Sequence, residues 1–246
     1  STGGTTNNRI NGSIDQVRVF NRALRPYEID ALYTEEYCTP SIVPSEHFNI
    51  VTYTGDETTN NPITGVGFQP DLVWIKQRDN TRSHRLFDSV RGATKRLISN
   101  STIAETIEPS ELTSFDSDGF TVSSSVGVND GNSASRDYVA WNFKAGGAAV
   151  TNTDGTITSQ VSVNTEAGFS VVTHGGPTGE FSVGHGLGTK PSIVITKGRL
   201  AAGDWTVYFT LLDGSLDFMR LNQTSAKENS SRTMWTDEVF YTTTEN

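Results

Sequence analysis

Side chains able to do chemistry are sparse and poorly clustered. Four histidines (His47, His84, His174 and His185) and one cysteine, Cys38, occur in 246 residues. They have neither zinc-ligand spacing nor a cysteine cluster around them. His174 and His185 flank turns and read as solvent-exposed. The run Gly184-His-Gly-Leu-Gly-Thr-Lys190 has the glycines of a phosphate-binding loop. It lacks the Gly-Lys-Ser/Thr ending and the following helix, so it reads as a structural β-turn. Asp116-Ser-Asp-Gly and Asn129-Asp-Gly-Asn could offer oxygens to calcium, but neither continues to the distal Glu of a calcium loop. Glycosidase chemistry needs two carboxylates across a cleft; only Asp71 sits beside an apolar strand, and nothing marks an acid from a base. Trp74, Tyr138, Trp141, Trp205, Tyr208 and Trp235 could stack on sugar rings. Most fall in apolar strand patterns, which points to core packing, with Trp205 the least clearly buried. No residue is therefore assigned a catalytic, cofactor-binding or metal role, no cofactor is expected, and the chain is expected not to be an enzyme.

The charge balance bears on partners. Lys and Arg total 19 and Asp and Glu 28, so the net charge is 19 − 28 = −9. A chain this acidic is expected to bind neither nucleic acid nor anionic membrane surfaces. The nearest approach to a basic patch is Arg78, Arg82, His84 and Arg85, followed by Arg91, Lys95 and Arg96, which reads as a solvated sheet edge and loop. No apolar run approaches the ~20 residues of a membrane span, so no membrane insertion is expected. The single cysteine excludes an internal disulfide framework.

The elements around these residues are β-rich. Hydrophobic residues are 34% and charged residues 19%, with Ser, Thr, Asn and Gly dominating the rest. That suits short strands joined by polar turns. The main feature is an internal repeat. Phe48-Asn-Ile-Val-Thr-Tyr-Thr-Gly55 aligns with Phe169-Ser-Val-Val-Thr-His-Gly-Gly176. Gly65 to Arg78 aligns with Gly186 to Arg199. The offsets 169 − 48 and 191 − 70 are both 121. It then drifts by one: Gly92 pairs with Gly214, Asn100 with Asn222, and Phe115 with Trp235. Each copy opens with an alternating strand ending in glycines. A Gly-x-Gly-x-x-Pro turn then leads into an apolar strand, Leu72 to Ile75 or Ile193 to Ile195. Asp118-Gly119 predicts a hairpin between Phe115 and Phe120, and Tyr138 to Phe143 predicts a closing strand. The second copy reaches only the counterpart of Ser125 or Val126, so it lacks that closing strand and is expected to leave an open edge.

The organisation read from this is residues 1–37, a first module at 38–146, a linker at 147–167 with room for one strand (Thr156 to Val163), and a truncated second module at 168–246. In the first segment Gly12 to Phe20 predicts a strand. Ala23 to Tyr33 predicts a short helix, with Pro26 at its first position and Ile29, Leu32 and Tyr33 on one face. The first residues lack the pattern of a signal peptide and do not start with Met, and the chain reads as an excerpt of something longer.

Gly12 to Tyr33 resembles the C-terminal end of a laminin-G-like (concanavalin A-like) jelly roll, with Ile-Asp-x-Val-Arg-Val-Phe followed by Asn-Arg-Ala-Leu and a helix ending Leu-Tyr. Arg25-Pro26 departs from the usual small capping residue. The family's ligand-bearing part is absent, so no site residue transfers. The repeated unit resembles modules of marine bacteriophage tail and fibre proteins, on four stretches: Phe169 to Gly176, Gly184 to Pro191, Ile193 to Arg199, and Trp205 to Tyr208. The first copy has His84-Arg-Leu-Phe87 in place of the last. These resemblances imply an all-β fold: tandem antiparallel β-sandwich modules preceded by the last strand and short helix of a jelly roll. They further imply a structural virion protein, a tail fibre or related appendage assembled in the host cytoplasm, with other tail proteins and a host-surface glycan or protein receptor as partners, and a homotrimeric state. The alternative is a carbohydrate-binding segment of a secreted bacterial polysaccharide-degrading enzyme.

Overall fold

The structure is a computed structural model that describes residues 20–26, 29, 42–131, 136–177, 179–209, 217–228 and 235–242. The chain divides into two units, Ser1–Ser41 and Ile42–Asn246. In the first, the expected strand Gly12 to Phe20 and Cys38 lie almost wholly outside the described residues, as does most of the expected helix. Of that helix Pro26 and Ile29 are helical, and the Ile29 N–H donates to the Arg25 carbonyl at 3.1 Å. Proline is tolerated there because the first-turn N–H has no intrahelical partner.

The second unit is all-β apart from a 3₁₀ turn at Pro44–Glu46. Its strands are β1 Phe48–Thr54, β2 Asn61–Ile63, β3 Leu72–Gln77, β4 Arg85–Asp88, β5 Lys95–Arg96, β6 Thr106–Ile107, β7 Leu112–Asp116, β8 Gly119–Val122 and β9 Asp137–Phe143. There follow β10 Val150–Asn152, β11 Ser159–Asn164, β12 Phe169–His174, β13 Phe181–Gly184, β14 Ile193–Lys197, β15 Trp205–Phe209, β16 Phe218–Arg220 and β17 Val239–Thr242. Every strand pair among them is antiparallel. Among the described residues no helix is long and apolar enough to cross a membrane.

The first module packs a four-stranded sheet, β1-β9-β3-β4, on a three-stranded one, β2-β8-β7. Strand alternation decides which side chains meet between them. Val73 and Ile75 of β3, Tyr138 and Ala140 of β9, and Phe87 of β4 face Ile63, Leu112, Phe120 and Val122. Each fully buried side chain of this kind contributes roughly 1.5–3 kcal/mol. The β7–β8 hairpin pairs Phe115 with Phe120 and Asp116 with Gly119, where the Asp118-Gly119 turn puts it. Gly119 is at φ +148°, and a Cβ there would lie 2.0 Å from the Ile63 carbonyl oxygen, so the close approach of β2 requires glycine.

The second module repeats this pairing. Leu72 opposes Asp88 and Ile193 opposes Phe209, each residue displaced by 121. The bridge Leu86–Leu97 returns as Val207–Met219, and Phe115–Phe120 returns as Trp235–Phe240. The core returns as well: Val73, Phe87, Phe115 and Phe120 have Val194, Tyr208, Trp235 and Phe240 as counterparts. Even a side-chain clamp recurs, since Asn100 Oδ1 accepts the His84 N–H at 3.1 Å and Asn222 Oδ1 accepts the Trp205 N–H at 2.8 Å.

One difference corrects the sequence reading. The segment expected as a linker with one strand holds two, β10 and β11, which extend β12 into the sheet β10-β11-β12. Val161 on β11 is buried and β11 pairs with β12 along its length, so the stretch is part of the second module's framework. A further difference between the modules concerns β9. In the first module it lies between β1 and β3; in the second, β12 pairs with β11 and β14 ends the sheet β14-β15-β16.

Candidate binding face and the seam between modules

The outer face of the first module's large sheet carries a cross-strand row of apolar residues. Ile50 opposes Trp141, Trp141 opposes Trp74, Trp74 opposes Leu86, and Leu86 bridges to Leu97. A parallel row runs Phe48, Phe143, Leu72. These face outward because the alternate residues of β3 and β9 are committed to the core. The Trp74 and Trp141 rings meet edge-on at 6.2 Å.

His84 fixes the Trp74 indole. The Trp74 Nε1–H donates to His84 Nδ1 at 2.8 Å, which places the imidazole proton on Nε2. Burial, reinforced by the nearby Lys76 charge, holds the His84 pKa below the usual histidine range and keeps that acceptor neutral. Lys76 itself is tied back to the Asn80 carbonyl at 2.9 Å. At one end of the row Ile50 and Phe48 are exposed to solvent. At the other end the second module covers it.

That cover is Trp205, which packs on Leu86 and Leu97 with Leu72 and Trp74 alongside. Its Nε1–H donates to the Ile98 carbonyl at 2.8 Å. Beside it Arg199 holds Glu105 through two bonds, both 2.9 Å, and Arg91 donates to the same carboxylate at 3.0 Å. Burial disfavours the Glu105 charge, yet hydrogen bonds from Arg199 and Arg91 hold its pKa below the usual carboxylate range. Backbone bonds complete the seam: Glu105 N–H to the Arg199 carbonyl, 2.9 Å, and Gly203 N–H to the Thr102 carbonyl, 2.8 Å. Phe143 and Phe169 stack at 5.2 Å at a separate junction of the two modules.

The other sequence candidates take structural places. Trp235 and Tyr138 lie in the cores and Tyr208 packs against Trp235, while Trp205, expected as the least buried, is 5% exposed. Its burial comes from a partner surface more than a hundred residues away, which no local pattern encodes. His185, expected in solvent, is buried. Its Nδ1 accepts the Leu187 N–H at 3.2 Å and its Nε2 lies 3.2 Å from the Thr236 carbonyl, so it carries its proton on Nε2 and stitches the Gly186–Gly188 turn to the β17 side. His174 is exposed, and His47 meets Asn164 at 2.9 Å.

Of the basic cluster, Arg85, Arg91 and Arg96 are spent on carboxylates: Arg85 and Arg96 on buried Glu111, Arg96 also on Glu108, and Arg91 on Asp88 and Glu105. The calcium-like turns are also occupied internally. Asp118 accepts the Gly67 N–H at 2.6 Å and the Gly65 N–H at 3.1 Å, and those two bonds hold its pKa low. Asn129 exchanges hydrogen bonds with Asp56. Among the described residues no three His, Cys, Asp or Glu side chains are grouped to hold a metal. Asp71 is 1% exposed and accepts from Ser89 Oγ at 2.8 Å, Ala145 N at 2.8 Å and Gly147 N at 3.1 Å. It clamps the end of β9 to β3, a role for which sequence offered only its place beside an apolar strand.

Geometry thus defines a class: a pair of β-sandwich modules locked edge to face, with one apolar sheet face left partly open. The chain belongs to a family described as a domain of unknown function (DUF7483), whose profile matches residues 43–245. No curated protein and no solved structure matches it.

Proposed function

We propose that the chain is a structural segment of a phage virion, a tail fibre or related appendage, that presents β-modules for host-surface attachment. The observation that carries this reading is the seam. A buried indole, a bidentate Arg199–Glu105 pair and backbone bonds hold the second module against the first. Modules in an appendage must transmit force without pivoting, and a seam combining apolar burial with directional bonds resists rotation. The stretches that resemble phage fibre modules form this framework: Phe169 to Gly176 carries β12, Ile193 to Arg199 carries β14, and Trp205 to Tyr208 carries β15 and the seam indole. In this reading the protein is a homotrimer in the virion tail, its partners are other tail proteins and a host receptor, and it catalyses nothing.

Antibodies raised against residues 42–242 test it. Gold label on the tails of intact virions is the expected result; label absent from virions, or light scattering that shows the full-length protein to be a monomer, overturns it.

A carbohydrate-binding role is the second reading, favoured by the Trp74–Trp141 face. Partly buried indoles on an outer sheet face offer the apolar face of a sugar ring a stacking surface. A glycan array with the chain and its Trp141→Ala variant tests this role, and the virion label above separates it from the first reading. Glycan binding lost in the variant supports this role, and release of soluble sugar refutes the non-enzymatic reading.

A further inference from the structure

The modules differ at one strand position, and the difference leaves a specific acceptor. In the first module β9 bonds to β3 along its whole length, Leu72 opposing Phe143 and Gln77 opposing Tyr138. The bond from Arg78 N–H to the Asp137 carbonyl, 2.7 Å, shows which β3 residues face β9: the even-numbered ones, Leu72, Trp74 and Lys76. The Ser89 N–H to Asp71 carbonyl bond, 2.9 Å, places the odd-numbered ones toward β4. The β14–β15 register is the β3–β4 register displaced by 121, so the edge-facing residues of β14 are Ile193, Ile195 and Lys197. The bond from Leu221 N–H to the Trp205 carbonyl, 3.0 Å, gives the same parity from the far side of β15.

Among the described residues no strand pairs with that edge. Ile193 and Ile195 are 45% and 49% exposed there. Natural sheets guard free edges with charges, prolines or bulges; of these β14 has only Lys197, at its end. The positions facing Ile193 and Ile195 are those where Phe143 and Trp141 face Leu72 and Trp74 in the first module.

We propose that the outer edge of β14 is an acceptor for one extended antiparallel strand of the β9 type. That strand carries residues like Tyr138, Ala140 and Asn142 at its core-facing positions and aromatics opposite Ile193 and Ile195. Main-chain bonds at Ile193, Ile195 and Lys197 supply affinity, and the two aromatics set the register. The inference does not depend on the virion reading.

The probe is a peptide with the sequence of residues 136–144, added to the whole chain. Expected are saturable one-to-one binding by calorimetry and slowed hydrogen exchange at the amides of Ile193, Ile195 and Lys197. By the β3–β9 parity, N-methylation of the peptide at the Val139 and Trp141 positions removes only bonds to this edge, and should weaken binding about tenfold or more. An Ile195→Lys variant, altered at a half-exposed side chain that folding tolerates, should lose the peptide as well. Three results overturn the proposal: no saturable binding, equal binding of the N-methylated peptide, or concentration-dependent dimers that protect the same amides, which would make the occupant a second copy.

Discussion

The indole N–H of Trp205 donates a 2.8 Å hydrogen bond to the Ile98 carbonyl oxygen, joining β15 of the second module to the loop after β5 of the first. His84, its repeat counterpart, instead accepts from Trp74 within its own module. The same backbone position, held by the same Asn clamp, is internal in one copy and a tether in the other.

Trp205→Phe should therefore keep the apolar contact and lose the indole bond, while the Ile98 carbonyl keeps its longer 3.3 Å bond from the Ser101 N–H, at a cost of about 1 kcal/mol. Trp205→Ala removes both and should cost roughly 3–5 kcal/mol. Urea unfolding followed by near-UV dichroism checks this. The Phe variant should retain one transition, and the Ala variant should split it as the modules uncouple.

Asp71→Asn replaces a buried carboxylate that accepts from three donors. The amide oxygen can still accept the Ala145 and Gly147 N–H bonds while its NH₂ donates to the Ser89 hydroxyl, so the loss is of charge assistance and about 1–2 kcal/mol of stability should go. A lower urea midpoint at unchanged slope would show that the loss is in stability alone.

Two glycines separate crowding from backbone strain. A Cβ at Gly119 would meet the Ile63 carbonyl oxygen at 2.0 Å, whereas Gly188, at φ +67°, has open space around it. Gly119→Ala should cost about 3 kcal/mol or more and disturb the β2–β8 pairing. Gly188→Ala should cost only the left-handed strain, about 1–2 kcal/mol. Thermal melts of both variants, read side by side, check the ordering.

Acid should weaken the fold through two histidines that burial keeps neutral, His84 of the first module, which accepts from Trp74, and His185 of the second. Burial holds the His185 pKa below its ordinary value, although the bond to Thr236 opposes the shift. A histidine neutral in the fold stabilises fully above its unfolded pKa of about 6.5, and that share is lost as pH falls through the lower folded value. Glu105, also depressed, loses its share lower still, as pH falls from the carboxylate range. Melting temperatures between pH 7.5 and 5 should decline in the native chain and decline less in His185→Gln.

Much of the framework is legible because its signals are local. The apolar run Leu72–Ile75 and the β-rich run Tyr138–Phe143 mark strands, Asp118-Gly119 marks a hairpin, and the constant offset marks a duplication that the matched β-registers reproduce. The candidate face was half legible: Trp74 and Trp141 stand out as aromatics, but only pairing shows that they share an outward row with Ile50. His185 and the β10–β11 pair were misread because turn-like and polar composition resembles solvent-facing chain whether or not another segment covers it.

By itself, then, the amino-acid sequence determined where strands and turns lie and that two modules repeat, since side-chain period and turn conformation are properties of neighbouring residues. Only the tertiary structure decided that Trp205 is a tether, that β11 joins β12, and that β14 presents Ile193 and Ile195 at an edge. Burial and strand pairing depend on which distant surface arrives, and Trp205 and Ile98 are 107 residues apart.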